Sequence, residues 1–125
     1  MAVDQILLVE LDPTLRAILQ EVCSEDGLDV TPCRTLPDVG SAITGLPGQV
    51  VLLDEQDVEG LVAEDFQSHI RGLATHVPVV ILASSAEGPH VGLDARDVSV
   101  VPMPFDIDDL LGVIRGAIRP ARRHV

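Results

Sequence analysis

The sequence contains no tryptophan and no tyrosine, and its only aromatic side chains are Phe66 and Phe105. The core of the folded domain must therefore be aliphatic, and no aromatic ring pair is available to hold a stacked cofactor such as a flavin. Lysine is also absent, so all eight basic residues are arginines. A site that requires an ammonium group cannot obtain one from this chain.

Cysteines, basic patches and long apolar runs are equally scarce. Cys23 and Cys33 are too few for a disulfide framework and their spacing matches no metal motif, so we interpret them as buried free thiols. The net charge of −12 excludes the basic face that nucleic-acid binding requires. No apolar run reaches membrane-spanning length, and no signal-peptide pattern opens the sequence. These features predict a soluble cytoplasmic protein that binds neither nucleic acid nor membrane.

The apolar residues that are present alternate between two patterns along the 125-residue chain. Short apolar runs typical of buried strands occupy residues 5–10, 28–33, 50–54, 78–83 and 98–101. Helical spacing follows Asp12-Pro13, Thr35 and Asp106, and recurs at Val62, Phe66, Ile70 and Leu73. Glycines and a proline interrupt residues 84–97, so any fourth helix there is predicted to be short or irregular.

Strands and helices that alternate five times predict an α/β fold. Right-handed crossovers then give a doubly wound, five-stranded parallel sheet of flavodoxin-like (βα)5 architecture, with the strand order 2-1-3-4-5. The length suits one domain, which we place at residues 1–119, and residues 120–125 are predicted to form a frayed basic tail.

Two of the predicted strands end in a carboxylate, at Glu10 and Asp54. In the order 2-1-3-4-5 these strands are neighbours, so both acids should lie in one crevice at the carboxyl edge of the sheet. Adjacent acids favour a shared divalent cation, and oxygen ligands suit magnesium. Such a cation would neutralise a phosphoryl group that Asp54 attacks.

Four segments, in order, resemble the receiver domains of two-component response regulators, the CheY-like family. Ile6-Leu7-Leu8-Val9-Glu10-Leu11-Asp12-Pro13 resembles the acidic motif of the first strand, and Val51-Leu52-Leu53-Asp54 resembles the phosphoacceptor strand. Pro78-Val79-Val80-Ile81-Leu82-Ala83-Ser84 resembles the fourth strand. Met103-Pro104-Phe105 stands where the family usually has Lys-Pro-Phe. The likeness covers nearly the whole chain.

The resemblance implies a role for three residues. Asp54 matches the aspartate that accepts phosphate, and Glu10 matches the first residue of the metal-binding acid pair. Gln56 matches the position whose backbone carbonyl completes the magnesium site. The resemblance also implies a cis peptide bond between Met103 and Pro104.

Four other positions depart from the family pattern. Leu11 stands in place of the second acid, and Ala83 stands in place of the hydroxyl residue that contacts the phosphoryl oxygen. Met103 replaces the phosphate-binding lysine, and Val100 replaces the aromatic residue of the family's switch. Fewer anionic ligands imply weaker magnesium binding, and the loss of two donors implies weaker phosphoryl binding.

The leading hypothesis is an atypical receiver that signals through protein contacts and is phosphorylated poorly or not at all. A working phosphoacceptor at Asp54 and a small-ligand-binding flavodoxin-like module remain alternatives. A histidine kinase, or an output protein or domain, is the expected partner. The last strand and helix, where Val113 is predicted to be exposed, are the expected surface for partners or a homodimer.

No enzymatic activity and no cofactor beyond weakly bound magnesium are predicted. The sequence has no glycine-rich phosphate loop and no pairing of a nucleophile with a base. The four histidines are interpreted as isolated surface residues: His69, His76, His90 and His124.

Overall fold

Five parallel strands form one sheet at the centre of the molecule. The structure is a computed structural model that describes residues 4–44, 48–57, 63–84, 90, 92–93 and 97–123. The strands are β1 (Gln5–Val9), β2 (Asp29–Cys33), β3 (Gln49–Asp54), β4 (Val79–Ala83) and β5 (Val98–Pro102). Their order is β2-β1-β3-β4-β5 and every neighbouring pair is parallel. The predicted doubly wound topology is confirmed.

The described helices are α1 (Pro13–Glu25), α2 (Leu36–Ala42), α3 (Ala63–Ala74) and α4 (Ile107–Arg123). In that part of the chain, none of them combines the length and the apolar character needed to cross a membrane. Residues 84–97, where a short or irregular helix is predicted, lie largely outside the described residues.

Local chemistry explains where the first two helices begin and where the first one ends. The Asp12 carboxylate accepts a hydrogen bond from the Thr14 N–H at 3.0 Å, and the Thr35 hydroxyl accepts one from the Asp38 N–H at 3.2 Å. Both residues thus cap helices at the predicted positions. Gly27 follows α1 with a φ of 85°, a conformation that favours glycine, so it forms the predicted stop.

Two details of α4 correct the sequence-based description. The helix continues to Arg123, past Pro120, whereas a frayed tail is predicted there. An interior proline removes one helical hydrogen bond and crowds the carbonyl four residues earlier, which weakens or kinks a helix without always ending it. The division into residues 1–119 and 120–125 stays a prediction. Val113 is half-buried against the core rather than exposed, because α4 presents a broader apolar face than a single stripe.

The core lies on both faces of the sheet and is mostly aliphatic, as predicted. Successive residues of a strand point to opposite faces. Leu8 and Leu52 pack on the face covered by α1 and α4, and Leu53 packs on the face covered by α2 and α3. Phe66 of α3 joins the second face and is 1% exposed.

Both cysteines are free and buried, as predicted. Cys23 lies on the α1/α4 face and Cys33 on the α2/α3 face, so the sheet separates the two thiols. Burial raises the pKa of the Cys23 thiol to about 11, with a smaller contribution from the nearby Asp26 charge. Burial, aided by Asp38, also raises the pKa of Cys33.

We expect both thiols to react only slowly with Ellman's reagent in the native protein at pH 8. The thiolate is the reacting form, and a raised pKa keeps each group protonated at that pH. The absorbance of the released chromophore measures the reaction, and the same protein in concentrated urea is the control that should release two equivalents at once. Fast release of either equivalent from the folded chain would contradict the burial described here.

Candidate functional site

Glu10 and Asp54 lie side by side at the carboxyl edge of the sheet. Val9 of β1 is opposite Leu53 of β3, so the acids that follow them occupy the next pair of positions on adjacent strands. Neighbouring strands are about 4.8 Å apart. The two acids are 2% and 4% exposed, and alternation along each strand directs both side chains to the face of Leu8, the α1/α4 face. The structure brings together the two acids as predicted.

Each carboxylate is held by the backbone amide two residues later. Oδ1 of Asp54 accepts from the Gln56 N–H at 3.0 Å, and Oε2 of Glu10 accepts from the Asp12 N–H at 3.3 Å. The Asp12 side chain itself caps α1 and does not replace the missing second acid. Leu11 is 45% exposed at the mouth of the site, where it adds an apolar surface and no charge.

Ala83 and Met103 are joined through the backbone, since the Met103 N–H donates to the Ala83 carbonyl at 2.7 Å. Ala83 ends β4 and is 2% exposed. The Met103 side chain packs against the core on the α1/α4 face, the same face as the two acids. The peptide bond between Met103 and Pro104 is cis, as the resemblance implies. Neither side chain has a hydrogen-bond donor.

Val100 lies in the edge strand β5, opposite Ile81, and packs on the α2/α3 face. It lies across the sheet from the two acids, on the face that does not contain them. A valine there fills space but offers no ring and no hydroxyl for a rotation coupled to the acidic site. The structure thus leaves Val100 with a packing role.

The acidic site fits a magnesium ion in ligand type but not in number. Glu10 and Asp54 would supply two carboxylate oxygens and the Gln56 carbonyl a third ligand, all of the oxygen type that magnesium takes. Over the described residues, no three or more His, Cys, Asp or Glu side chains form a group able to hold a metal ion. When bound, the ion would neutralise negative charge on a phosphoryl group.

His90 corrects the interpretation of the histidines as isolated surface residues. It is 9% exposed and lies against Glu55, which follows Asp54 directly and is 8% exposed. Oε2 of Glu55 accepts from the His90 backbone N–H at 2.8 Å and also contacts Nδ1 of the ring. His90 thus pairs with a residue that lies 35 positions earlier in the chain.

A second contact also joins the turn after β3 to the chain that follows β4. The side-chain amide of Gln56 donates to the Ser84 hydroxyl at 2.7 Å, which joins the 3-10 turn Glu55–Asp57 to the residue after β4. Sequence reasoning assigned no side-chain role to Gln56, Glu55 or Ser84. The predicted adjacency of β3 and β4 could have indicated these contacts, because the residues that follow two neighbouring parallel strands lie close together.

The remaining described histidines are exposed, as predicted, on or just after α3. His69 lines a groove of about 440 Å3 between α2 and α3, together with Leu36, Pro37 and Leu73. His76 follows the helix. None of the predicted site residues lines that groove, so the groove is separate from the acidic site.

Solved structures share this fold over nearly the full chain. The CheY-like receiver domain protein from Methanospirillum hungatei JF-1 matches 96% of this chain and 98% of its own, at 22% identity and a TM-score of 0.73. A receiver domain protein from Clostridium thermocellum matches 94% and 96%, at 20% identity and 0.75. Full-length FixJ from B. japonicum matches 96% of this chain over 60% of its own, at 22% identity and 0.75.

The likeness at these identities concerns the fold, which is that of CheY-like receiver domains. By sequence, no protein-family model matches the chain, and no curated protein matches it either.

Proposed function

We propose that this chain is an atypical receiver domain of a two-component pathway in the cytoplasm, which signals through protein contacts and is phosphorylated weakly or not at all. It acts as a signalling module and not as an enzyme. One observation carries the proposal: a buried acid pair, Glu10 and Asp54, occupies the carboxyl edge of a receiver fold whose neighbouring positions are Ala83 and Met103.

The physical reason is that a phosphoryl group on Asp54 would find few donors. Hydrogen bonds to charged groups contribute about 1.5–3 kcal/mol each. Ala83 and Met103 supply none of these bonds, and Leu11 leaves the cation with one anionic ligand fewer than the family pattern has. All three replacements act in the same direction, against stable binding of a phosphoryl group.

If phosphorylation is weak or absent, the domain can still signal by binding a partner protein. One of the similar structures is full-length FixJ, which contains the same fold as part of a longer chain. We therefore propose a histidine kinase, or an output protein or domain, as the partner, and β5 with α4 as the contact surface. The same surface is the proposed place for a homodimer. A working phosphoacceptor at Asp54 is the second candidate, supported by the presence of both Glu10 and Asp54 at the buried edge of the sheet.

The test is direct phosphorylation of the wild-type chain. After incubation with acetyl phosphate and magnesium chloride, intact-mass spectrometry should show little or no added phosphoryl group, because the pocket lacks the donors that stabilise it. The Asp54→Asn variant is the control for labelling elsewhere. Rapid stoichiometric addition that disappears in Asp54→Asn would instead establish the working phosphoacceptor.

A further inference from the structure

The groove between α2 and α3 lies on the face of the sheet that does not contain the acid pair. Its volume of about 440 Å3 is within the range of roughly 300–1,000 Å3 that is typical of small-molecule sites. Most of its lining is apolar and comes from Leu36, Pro37, Gly40, Gly72 and Leu73. An apolar lining with a few polar groups is the usual composition of such a site.

Two glycines explain why the groove is open. Gly40 of α2 and Gly72 of α3 both line it, and a Cβ atom added to either would meet no heavy atom within 4 Å. Neither glycine has a positive φ, so the backbone does not require glycine at these positions. Glycine also destabilises a helix relative to other residues. The two glycines therefore leave free space between the helices at a cost in helix stability.

The polar lining of the groove comes from one face of α3. Asp65, Ser68 and His69 are spaced i, i+3 and i+4, so their side chains are neighbours on the first two turns of the helix. A carboxylate, a hydroxyl oxygen and a neutral imidazole nitrogen all accept hydrogen bonds. Gly72 and Leu73 continue the lining toward the end of the helix and add only apolar surface. The groove thus has a polar end and an apolar end.

The charge of the groove favours a cationic ligand. Among its described lining residues, Asp65 is the only one with a formal charge at neutral pH. In the described part of the chain, the ion pairs are formed elsewhere, by Asp26 and by Glu55. The net charge of −12 adds a long-range attraction for cations.

We propose that the α2/α3 groove binds a small organic cation. An apolar ring or chain packs against Pro37, Leu73 and the two glycines, and a protonated amine or amidinium group pairs with Asp65. The Ser68 hydroxyl and the His69 imidazole accept the remaining N–H hydrogen bonds. The site is independent of the proposed function, because the sheet separates it from the acid pair.

Titration with three probes, followed by two-dimensional amide NMR of the isotopically labelled protein at pH 7, tests the proposal. The probes are cyclohexylmethylamine, cyclohexylmethanol and cyclohexanecarboxylate, which share a ring and differ in charge. We expect the amine to shift the amide signals of Ser68, His69 and Leu73 with a Kd of ~1–10 mM, as expected for so small a ligand. The alcohol should bind about fivefold more weakly, since it lacks the exposed ion pair, and the carboxylate should cause no shift.

Variants that fill the groove separate binding from folding. Gly40→Leu and Gly72→Leu should each weaken binding of the amine about tenfold or more, because the leucine occupies the space of the ring. Neither should lower the midpoint of urea unfolding, because leucine favours a helix more than glycine does. Gly112→Leu and Gly116→Leu make the same change at exposed positions of α4 and should leave the Kd unchanged. Asp65→Asn should remove the preference for the amine over the alcohol.

Each outcome supports or overturns the proposal. Shifts that are confined to the groove and lost in Gly40→Leu and Gly72→Leu support it. No shift with the amine well above the expected Kd, equal binding of the amine and the alcohol, or equal shifts over α1 and α4 overturn it. If acetyl-leucyl-arginine amide shifts the groove signals and the amine does not, the groove binds a basic protein segment and the proposal is again wrong. None of these results depends on phosphorylation of Asp54, which the acetyl phosphate experiment measures separately.

Discussion

Replacing Ala83 by threonine and Met103 by lysine in the same chain is expected to accelerate phosphorylation of Asp54 by acetyl phosphate by roughly a hundredfold or more. The estimate takes about 1.5–3 kcal/mol for each restored charge-assisted hydrogen bond, and a tenfold change in rate for each 1.4 kcal/mol. The time course of intact mass in magnesium buffer measures the effect. Each single variant should fall between wild type and the pair.

The geometry supports the lysine replacement at Met103 most directly. The backbone at residues 83 and 103 is already joined by the 2.7 Å hydrogen bond, so their side chains emerge from a fixed platform. Met103 packs on the face that holds Glu10 and Asp54. A lysine there can keep its methylene stem on the core and place its ammonium group toward the acids.

Two further variants and the wild-type chain distinguish donor restoration from a general opening of the site. Met103→Gln is similar in length but uncharged, so with Ala83→Thr it should recover only a small part of the acceleration. Asp54→Asn, added to the lysine–threonine pair, should abolish labelling. If the wild-type chain is labelled as fast as the pair, the missing donors at Ala83 and Met103 do not limit the reaction and the proposed function is wrong.

The features that sequence analysis predicted correctly are those that local pattern determines. A continuous apolar run such as Val50–Leu53 is typical of a strand that is buried on both faces of a parallel sheet. The strand and the acid that ends it could therefore be predicted directly from the sequence. The caps at Asp12 and Thr35 are equally local, because each side chain bonds an amide two or three residues away. Strand order then placed Glu10 beside Asp54 without any knowledge of side-chain packing.

The contact between Glu55 and His90 could not be predicted in the same way. His90 lies among glycines and a proline, a context typical of an exposed loop, and its burial depends on Glu55, 35 residues earlier. A polar pair of this kind leaves no periodic pattern, since its members are set by tertiary packing and not by the element in which each residue lies. The length of α4 differs for a related reason, because the cost of Pro120 is local whereas helix stability comes from packing along the whole element.

The sequence and structure together therefore divide the site into two parts. The acids and the missing donors are properties of strand ends, and they follow from residue identity plus topology. The side-chain contacts of Glu55 and Gln56 are properties of the turn after β3, and only the folded chain shows them. The Ala83→Thr and Met103→Lys variants change only the first part, so they test the effect of the missing donors by itself.

The largest loss of stability is expected from Phe66→Ala. Phe66 is 1% exposed and packs between α3 and the sheet, so truncation should lower the free energy of unfolding by about 3–5 kcal/mol. A domain of this size has about 5–15 kcal/mol in total, so the variant should lose roughly a fifth or more of it. Urea unfolding followed by far-UV circular dichroism is the measurement, because the chain has no tryptophan or tyrosine to report by fluorescence.

Phe105→Ala provides a matched control, because Phe105 is the only other aromatic residue and is only half-buried against the α1/α4 face. Its removal should cost about 1–2 kcal/mol, as expected for partial burial. Phe66 packs on the face opposite the acids, and a Phe66→Leu variant that refills most of the cavity should recover most of the lost stability. Equal losses for the two alanine variants would show that α3 is not anchored as described.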